Sequence, residues 1–505
     1  MAPHIFCNES DTSSFNSDSD ADSFTSGINV PNSLATKTYA PLRNKRRSHL
    51  MGSKAKSGTK FYAEKAEGNW IWVADDRGQR RIFDACGGAA VSCIGHNHPR
   101  VPVHIKELCG NINYVASAHF DTHATEECAG WLAQSTGYEL DKVLFYNSGS
   151  ESVEAALKLA YQWHSEAKPY PEPSRQLFIA RDRSYHGTTL GSLDMSGHKA
   201  RKQPFHGILP GNASFISPCY AFRGMTDEET KAQYVKRLAD ELENEIIRLG
   251  PKNVAAFIME PVVGAALGCA PALPGYLKAM KAVCRKYGVL IIFDEVMCGM
   301  GRTGYLHAWQ KEGVVPDIQV VGKGLTGGYA VLSAILMSPK ISDAFEDREI
   351  TFNHGHTYQN YPPACNAALV VQRIIQDEGF LANVREKGEL LRKRLAVRLL
   401  THPNVGDIRG DGLFWGIEFV FDKLTKEPFP SQLGVAKGIH TRGLTSDYGI
   451  DVYPGSGTVD GESGDHIIIA PAFNITEDDV DIIVERVGRL IEDFFENLFS
   501  AKAVL

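Results

Sequence analysis

Short, unbroken apolar runs recur through the middle of the chain at residues 143–146, 177–180, 254–259, 289–293 and 318–321, separated by stretches with helical spacing. Continuous rather than alternating apolarity predicts strands covered on both faces, and their alternation with helices predicts a mostly parallel central sheet of the α/β class. One intervening helix is plain, because Leu238, Leu242, Ile246 and Leu249 share a face and Gly250-Pro251 end it. Another follows residue 150, with Val153, Ala156, Leu157 and Ala160 inward. Ahead of this region, Trp70-Ile71-Trp72-Val73 runs into the turn sequence Asp75-Asp76-Arg77-Gly78, which predicts an antiparallel hairpin. Past about residue 379 the pattern shifts to helix, a strand at 414–421 and an amphipathic helix over 476–499, which predicts a smaller second domain. Residues 9–26 are mostly Ser, Asp and Thr and offer little to bury, so a flexible tail is expected there, followed by a solvated basic linker at Arg43, Lys45, Arg46 and Arg47. The expected organisation is tail and linker at 1–57, a segment at 58–110 that joins the small domain, a large ligand-binding domain at 111–380, and a C-terminal small domain at 381–505.

Composition narrows the classes. A chain of 505 residues that is 43% apolar and 22% charged is globular, and its net charge of -7 leaves no basic excess for a nucleic-acid backbone. No apolar run reaches the roughly 18 residues a membrane helix requires. The 10 cysteines contain no C-x-x-C pair and no metal-ligand spacing, which points to a reducing compartment. The first residues also lack a basic start and an apolar core, so a cytoplasmic location is expected.

In an open α/β sheet, ligands collect at the carboxyl ends of the strands, so the residues that follow each run carry the chemistry. The first run exits into Asn147-Ser148-Gly149-Ser150, small residues at a helix start that suit a phosphate. The second leads to Tyr185 and His186, an aromatic ring able to stack and an imidazole. The third ends in Glu260. The fourth ends in Asp294-Glu295, carboxylates that require a positive partner if buried. The fifth ends in Gly322-Lys323-Gly324, where desolvation would depress the lysine pKa and make the amine a nucleophile. Phosphate cradle, stacking ring, buried acid and amine are together the holds of pyridoxal 5′-phosphate.

At these residues the chain resembles the class III (ω-type) pyridoxal-phosphate aminotransferases of fold type I, from about residue 58 to about residue 486. The resemblance rests on Gly95-His96-Asn97-His98-Pro99, Asn147-Ser148-Gly149-Ser150-Glu151-Ser152, Tyr185-His186-Gly187 and Glu260-Pro261-Val262-Val263-Gly264, and further on Phe293-Asp294-Glu295-Val296, Lys323-Gly324-Leu325-Thr326-Gly327-Gly328 and His356-Thr357-Tyr358-Gln359. It implies that Lys323 is the Schiff-base lysine, that Asp294 pairs with the pyridine nitrogen, and that Val296 packs on the ring face opposite Tyr185. Gly149 and Ser150 would hold the phosphate, with His186 and Glu260 also in the cofactor site. It further implies a homodimer with shared sites, in which the position matching Thr357 reaches the phosphate of the other subunit. The implied reaction moves an amino group from an amine or amino acid donor to a 2-oxo acid acceptor by a ping-pong mechanism; a racemase, epimerase or aminomutase on the same fold is the alternative.

The sequence departs from the family at the substrate end. Where ornithine- and 4-aminobutyrate-type members carry a glutamate and an arginine, this chain has Ala265 and Ile468, and where many ω-type members place a mobile arginine it has Asp451-Val452-Tyr453-Pro454. Arg302 and Arg409 are the cations left to consider. Gly299-Met300-Gly301-Arg302-Thr303-Gly304 spells a dinucleotide fingerprint, but Asp294 and Glu295 separate it from the strand end such a turn requires. The pairs His96/His98 and His354/His356 lack zinc-site spacing, so no metal is expected.

Overall fold

The computed structural model describes residues 61–75, 78–108 and 112–502. The tail and linker expected at 1–57 lie outside them. At the start, β1 (Tyr62–Glu67), β2 (Trp70–Asp75) and β3 (Gly78–Asp84) form an antiparallel meander, with Asp75 of β2 opposite Gly78 of β3; residues 76–77 of the expected turn lie outside the described residues.

The apolar runs become β4 (Lys142–Tyr146), β5 (Leu177–Arg181), β7 (Val254–Met259), β10 (Leu290–Asp294) and β11 (Ile318–Val321), accompanied by β6 (Ala213–Ile216) and β12 (Ser333–Met337). Between β7 and β10 a two-residue pair, β8 (Val262–Val263) and β9 (Ala270–Pro271), makes a small hairpin. The order across the large sheet is β4-β12-β11-β10-β7-β5-β6. All neighbours are parallel except β12, which runs antiparallel to both β11 and β4. Strands β7, β10, β11 and β12 are buried at every position, as their unbroken apolarity demands.

Helices cover both faces. The helix Gly149–Gln162 turns Val153, Ala156, Leu157 and Ala160 onto Ile258, Ile292 and Val320. The helix Lys231–Leu249 lays Leu238, Leu242 and Ile246 on Phe257 and Ile291 across the sheet, and stops at Gly250 with φ 84. Each fully buried Leu or Ile contributes about 1.5–3 kcal/mol, so these two faces hold the sheet as the middle of three layers.

The C-terminal part builds β13 (Val405–Asp411), β14 (Phe414–Phe419), β15 (Ile450–Asp451), β16 (Tyr453–Ser456) and β17 (Asp465–Ile469). Four of these form an antiparallel sheet in the order β13-β14-β17-β16, whereas β15 leaves it to pair in parallel with β3, Ile450 opposite Phe83. The helices Phe380–Leu399 and Glu477–Lys502 pack on this sheet through Leu391, Leu395, Val487 and Leu490, in a core that also contains Phe83 and Val101. No helix of the described residues is long and apolar enough to cross a membrane.

Candidate active site

Because β4, β5, β7, β10 and β11 point the same way, their carboxyl ends meet along one edge of the sheet. There a cavity of about 400 Å³ is lined by Gly149, Ser150, Tyr185, His186, Glu260, Asp294, Val296 and Lys323. Thr357 alone of the expected residues is absent from that wall; it sits in an exposed turn. Size does not identify the site, since larger cavities of about 600 and 710 Å³ contain none of these residues.

Lys323 follows β11 in a left-handed conformation, φ 42, which is rare for a residue with a side chain. The turn that holds it there is well bonded. Gly327 N donates to the Lys323 carbonyl at 3.0 Å, and the Gln372 amide donates to the carbonyls of Gly324 and Leu325, each at 2.9 Å. Burial pushes the Lys323 amine pKa down, and the nearby carboxylates of Asp294 and Glu260 only partly offset it.

Asp294 ends β10, next to β11, and is buried. One carboxylate oxygen accepts from the Val296 N–H at 3.0 Å and the other meets His186 Nδ1 at 2.8 Å, while among the described residues the Nε2 of that buried imidazole has no hydrogen-bond partner. Its neighbour Glu295 points away from the cavity and accepts from the backbone N–H groups of Ala308 and Trp309 at 2.6 and 2.9 Å. The Glu260 carboxylate is turned to backbone as well, accepting from Tyr185 N at 3.3 Å and Gly264 N at 3.4 Å; burial raises its pKa.

At the helix start, the Ser148 hydroxyl caps Glu151 N at 3.3 Å, and the Ser150 hydroxyl accepts from Thr188 N at 3.0 Å. Gly149 allows a close approach: a Cβ there would lie 2.8 Å from Val296 Cγ1. A phosphate suits this positive helix end, a flat ring suits the space between Val296 and Tyr185, a protonated ring nitrogen suits the Asp294 carboxylate, and an aldehyde suits the Lys323 amine. The residues present therefore fit pyridoxal phosphate.

Residues 330–332, together with Val91 and Met297, also line the cavity, although nothing in the sequence singled them out; Thr326, from the lysine motif, joins them. Residues 330–332 precede β12, whose antiparallel course brings its beginning, not its end, to this edge. The other candidates fall elsewhere. Arg302 is buried and donates to the carbonyls of Leu413 and Pro471. Arg409 pairs with Glu418 at 2.7 Å and Asp407 at 2.9 Å. The glycines at 299–304 form turns rather than a helix start, with Gly304 N bonded to the Gly301 carbonyl. His96 bonds Asp84 at 2.8 Å, and His354 and His356 pack against Tyr146. Among the described residues one group of metal-capable side chains, Asp84, Cys86 and Asp451, comes together, but Asp84 is already engaged by His96 and by the N–H groups of Cys86 and Gly87.

The family model described as "Aminotransferase class-III" matches residues 51–491. An aminotransferase of Gibberella zeae is 48% identical over 413 residues, 82% of this chain and 80% of its own length. Among solved structures, an (S)-enantioselective omega-transaminase from Thermomicrobium roseum is 32% identical, with a TM-score of 0.80 over 89% of this chain and 96% of that one. An amine transaminase from an uncultivated Pseudomonas species, solved in its PLP-bound form, is 29% identical, with a TM-score of 0.80 over 89% and 99%. The chain belongs to the class III aminotransferases, pyridoxal-phosphate-dependent enzymes of fold type I that carry an amino group from donor to 2-oxo acid acceptor in two successive half-reactions.

Proposed function

We propose that Lys323 is the amine that binds the cofactor and then, once released, carries the proton between substrate carbon and cofactor. When bound, pyridoxal phosphate supplies an aldehyde that condenses with amines and a ring that takes up the electrons of the deprotonated substrate carbon. The observation that carries the reading is the pairing at the cavity: a desolvated amine beside a buried carboxylate, on neighbouring parallel strands. A lowered pKa leaves more of the Lys323 amine neutral near pH 7, ready to attack a carbonyl or accept a proton.

Asp294 in this reading keeps a proton on the pyridine nitrogen. His186 fixes the carboxylate's orientation, and Val296 N–H fixes its other oxygen. Val296 and Tyr185 would bound the two ring faces, and Gly149 and Ser150 the phosphate. Glu260 would act by holding the Tyr185 and Gly264 backbone. We further read the molecule as a homodimer in the cytoplasm, in which Thr357 serves the phosphate of the other subunit; its exposed turn outside the cavity wall supports this. Residues 111–380 would be the large domain, and 58–110 with 381–505 the small one, supported by the core that Phe83 shares with Leu391 and Ile467. No observation favours the racemase or aminomutase alternative, and the relatives named above are all described as aminotransferases or transaminases.

The test is Lys323→Ala with borohydride trapping. The wild-type holoenzyme should yield cofactor bound to the peptide that contains residue 323, and the variant should lose both that adduct and turnover. An adduct on another lysine, or normal turnover in the variant, would refute the assignment.

A further inference from the structure

A 2-oxo acid brings a carboxylate into the cavity, and the arginines nearest to hand are committed to the protein. Arg181 donates to the Glu260 carbonyl at 2.6 Å, and Arg183 to the carbonyls of Thr458 and Val459, both at 3.0 Å. Arg302 gives Nη1 to two backbone carbonyls and lies buried over the Phe473 ring, and Arg409 is paired with Glu418 and Asp407. The segment Asp451-Val452-Tyr453-Pro454, where the resemblance implies a mobile arginine, contains none.

Arg201 differs from all of them. It belongs to the short helix Lys199–Lys202 and is half-buried; among the described residues no Asp or Glu forms an ion pair with it, and the side chain it meets is Tyr185, ring and hydroxyl. Its guanidinium lies over the Tyr185 ring, 4.4 Å from the centroid, and Tyr185 is a wall of the cavity. The charge is felt inside: after burial, which is the larger cause, Arg201 contributes to lowering the Lys323 amine pKa. The segment that presents it is anchored at both ends. Lys202 Nζ donates to the Asp194 carbonyl at 2.8 Å, and the Lys199 stem packs so tightly on Gly461 that a Cβ there would come within 2.9 Å of it. The backbone is thus fixed while the guanidinium remains free to turn about its staggered torsions.

We propose that Arg201, resting on Tyr185, is the cation that receives the substrate carboxylate and so selects 2-oxo acids and amino acids over simple carbonyls and amines. The proposal rests on the Lys323-centred site above. A planar guanidinium presents two parallel N–H groups to a carboxylate, and stacking on an aromatic face stores it without a competing anion.

The experiment compares pyruvate with acetaldehyde, which differ by the carboxylate, as acceptors for the aminated holoenzyme of wild type and R201Q. The ratio of kcat/KM for pyruvate to that for acetaldehyde should fall about 10- to 100-fold in R201Q, the range of one charge-assisted pair. Propionate, an inert carboxylate, should bind the R201Q holoenzyme more weakly by a similar factor in a spectral titration. An unchanged ratio, whether both rates hold or both fall together, overturns the proposal, as does a wild-type ratio near one. Failure of the Lys323 assignment would register separately, as a borohydride adduct on another lysine.

Discussion

Asp294 and Glu295 are neighbours with the same charge and opposite uses. From the sequence, either carboxylate after the apolar run qualified; only the pleat of β10 and the turn after it decide that Asp294 opens to the cavity while Glu295 is consumed by the N–H groups of Ala308 and Trp309. Replacing Asp294 by Asn keeps size and a hydrogen bond to Val296 but removes the charge. We expect Asp294→Asn to fold with a Tm within a few degrees of wild type and to lose about 10²–10³ in kcat, the usual loss for one well-placed electrostatic group. Steady-state kinetics beside a thermal melt decide it; a wild-type kcat would place the ring-nitrogen contact elsewhere. Arg201 marks the limit of sequence reading at this scale, because nothing local distinguishes it from Lys199 or Lys202. That its neighbour is the Tyr185 side chain and not a carboxylate is a property of three-dimensional packing.

At the scale of elements, the strands at the middle of the sheet were legible because burial on both faces leaves an unbroken apolar run. The edge strand β6 is four residues long and only its last, Ile216, is fully buried, so it leaves little trace. The strand β12 was missed for another reason. It is buried throughout, but it reverses direction, and the rule that strand exits carry the site then points to its wrong end. The junction between β10 and the helix Gly149–Gln162 offers a test. In Gly149→Ala the new Cβ would meet both Val296 methyl carbons, at 2.8 and 2.9 Å. Better helix propensity gives back at most about 1 kcal/mol, and less at a first-turn position, while overpacking against a β-branched side chain held by Asp294 costs about 1–3 kcal/mol. The clash should win, and Gly149→Ala is expected to weaken cofactor binding at least tenfold with a lower Tm. Fluorescence titration with pyridoxal phosphate measures it. The double variant with Val296→Ala should regain most of the loss, and its failure to do so would put the cause elsewhere.

For the whole molecule, several imidazoles are sealed in neutral form. Burial pushes the pKa of His164 and His466 down to about 3 and that of His307 to about 4. In the unfolded chain each titrates near 6.5, so between pH 6.5 and about 4 the unfolded state binds protons that the native state refuses. Stability therefore falls as the pH drops below about 6.5, by about 1.4 kcal/mol per pH unit for each such group. Urea midpoints measured from pH 7.5 to 5 should decline steadily, and His466→Gln should lessen the slope; a flat profile would mean that these imidazoles reach water. The small two-residue pairing of β15 with β3 has a different consequence. It joins Ile450 to Phe83 across most of the polypeptide, and the Ala470 N–H closes on the Ala85 carbonyl in the same region at 2.7 Å. During synthesis the meander emerges hundreds of residues before its partner, so its outer edge stays unmated until residues 450–451 have been made. The sheet is therefore completed late, and in the interval that strand edge is the part of the young chain open to pairing with other strands.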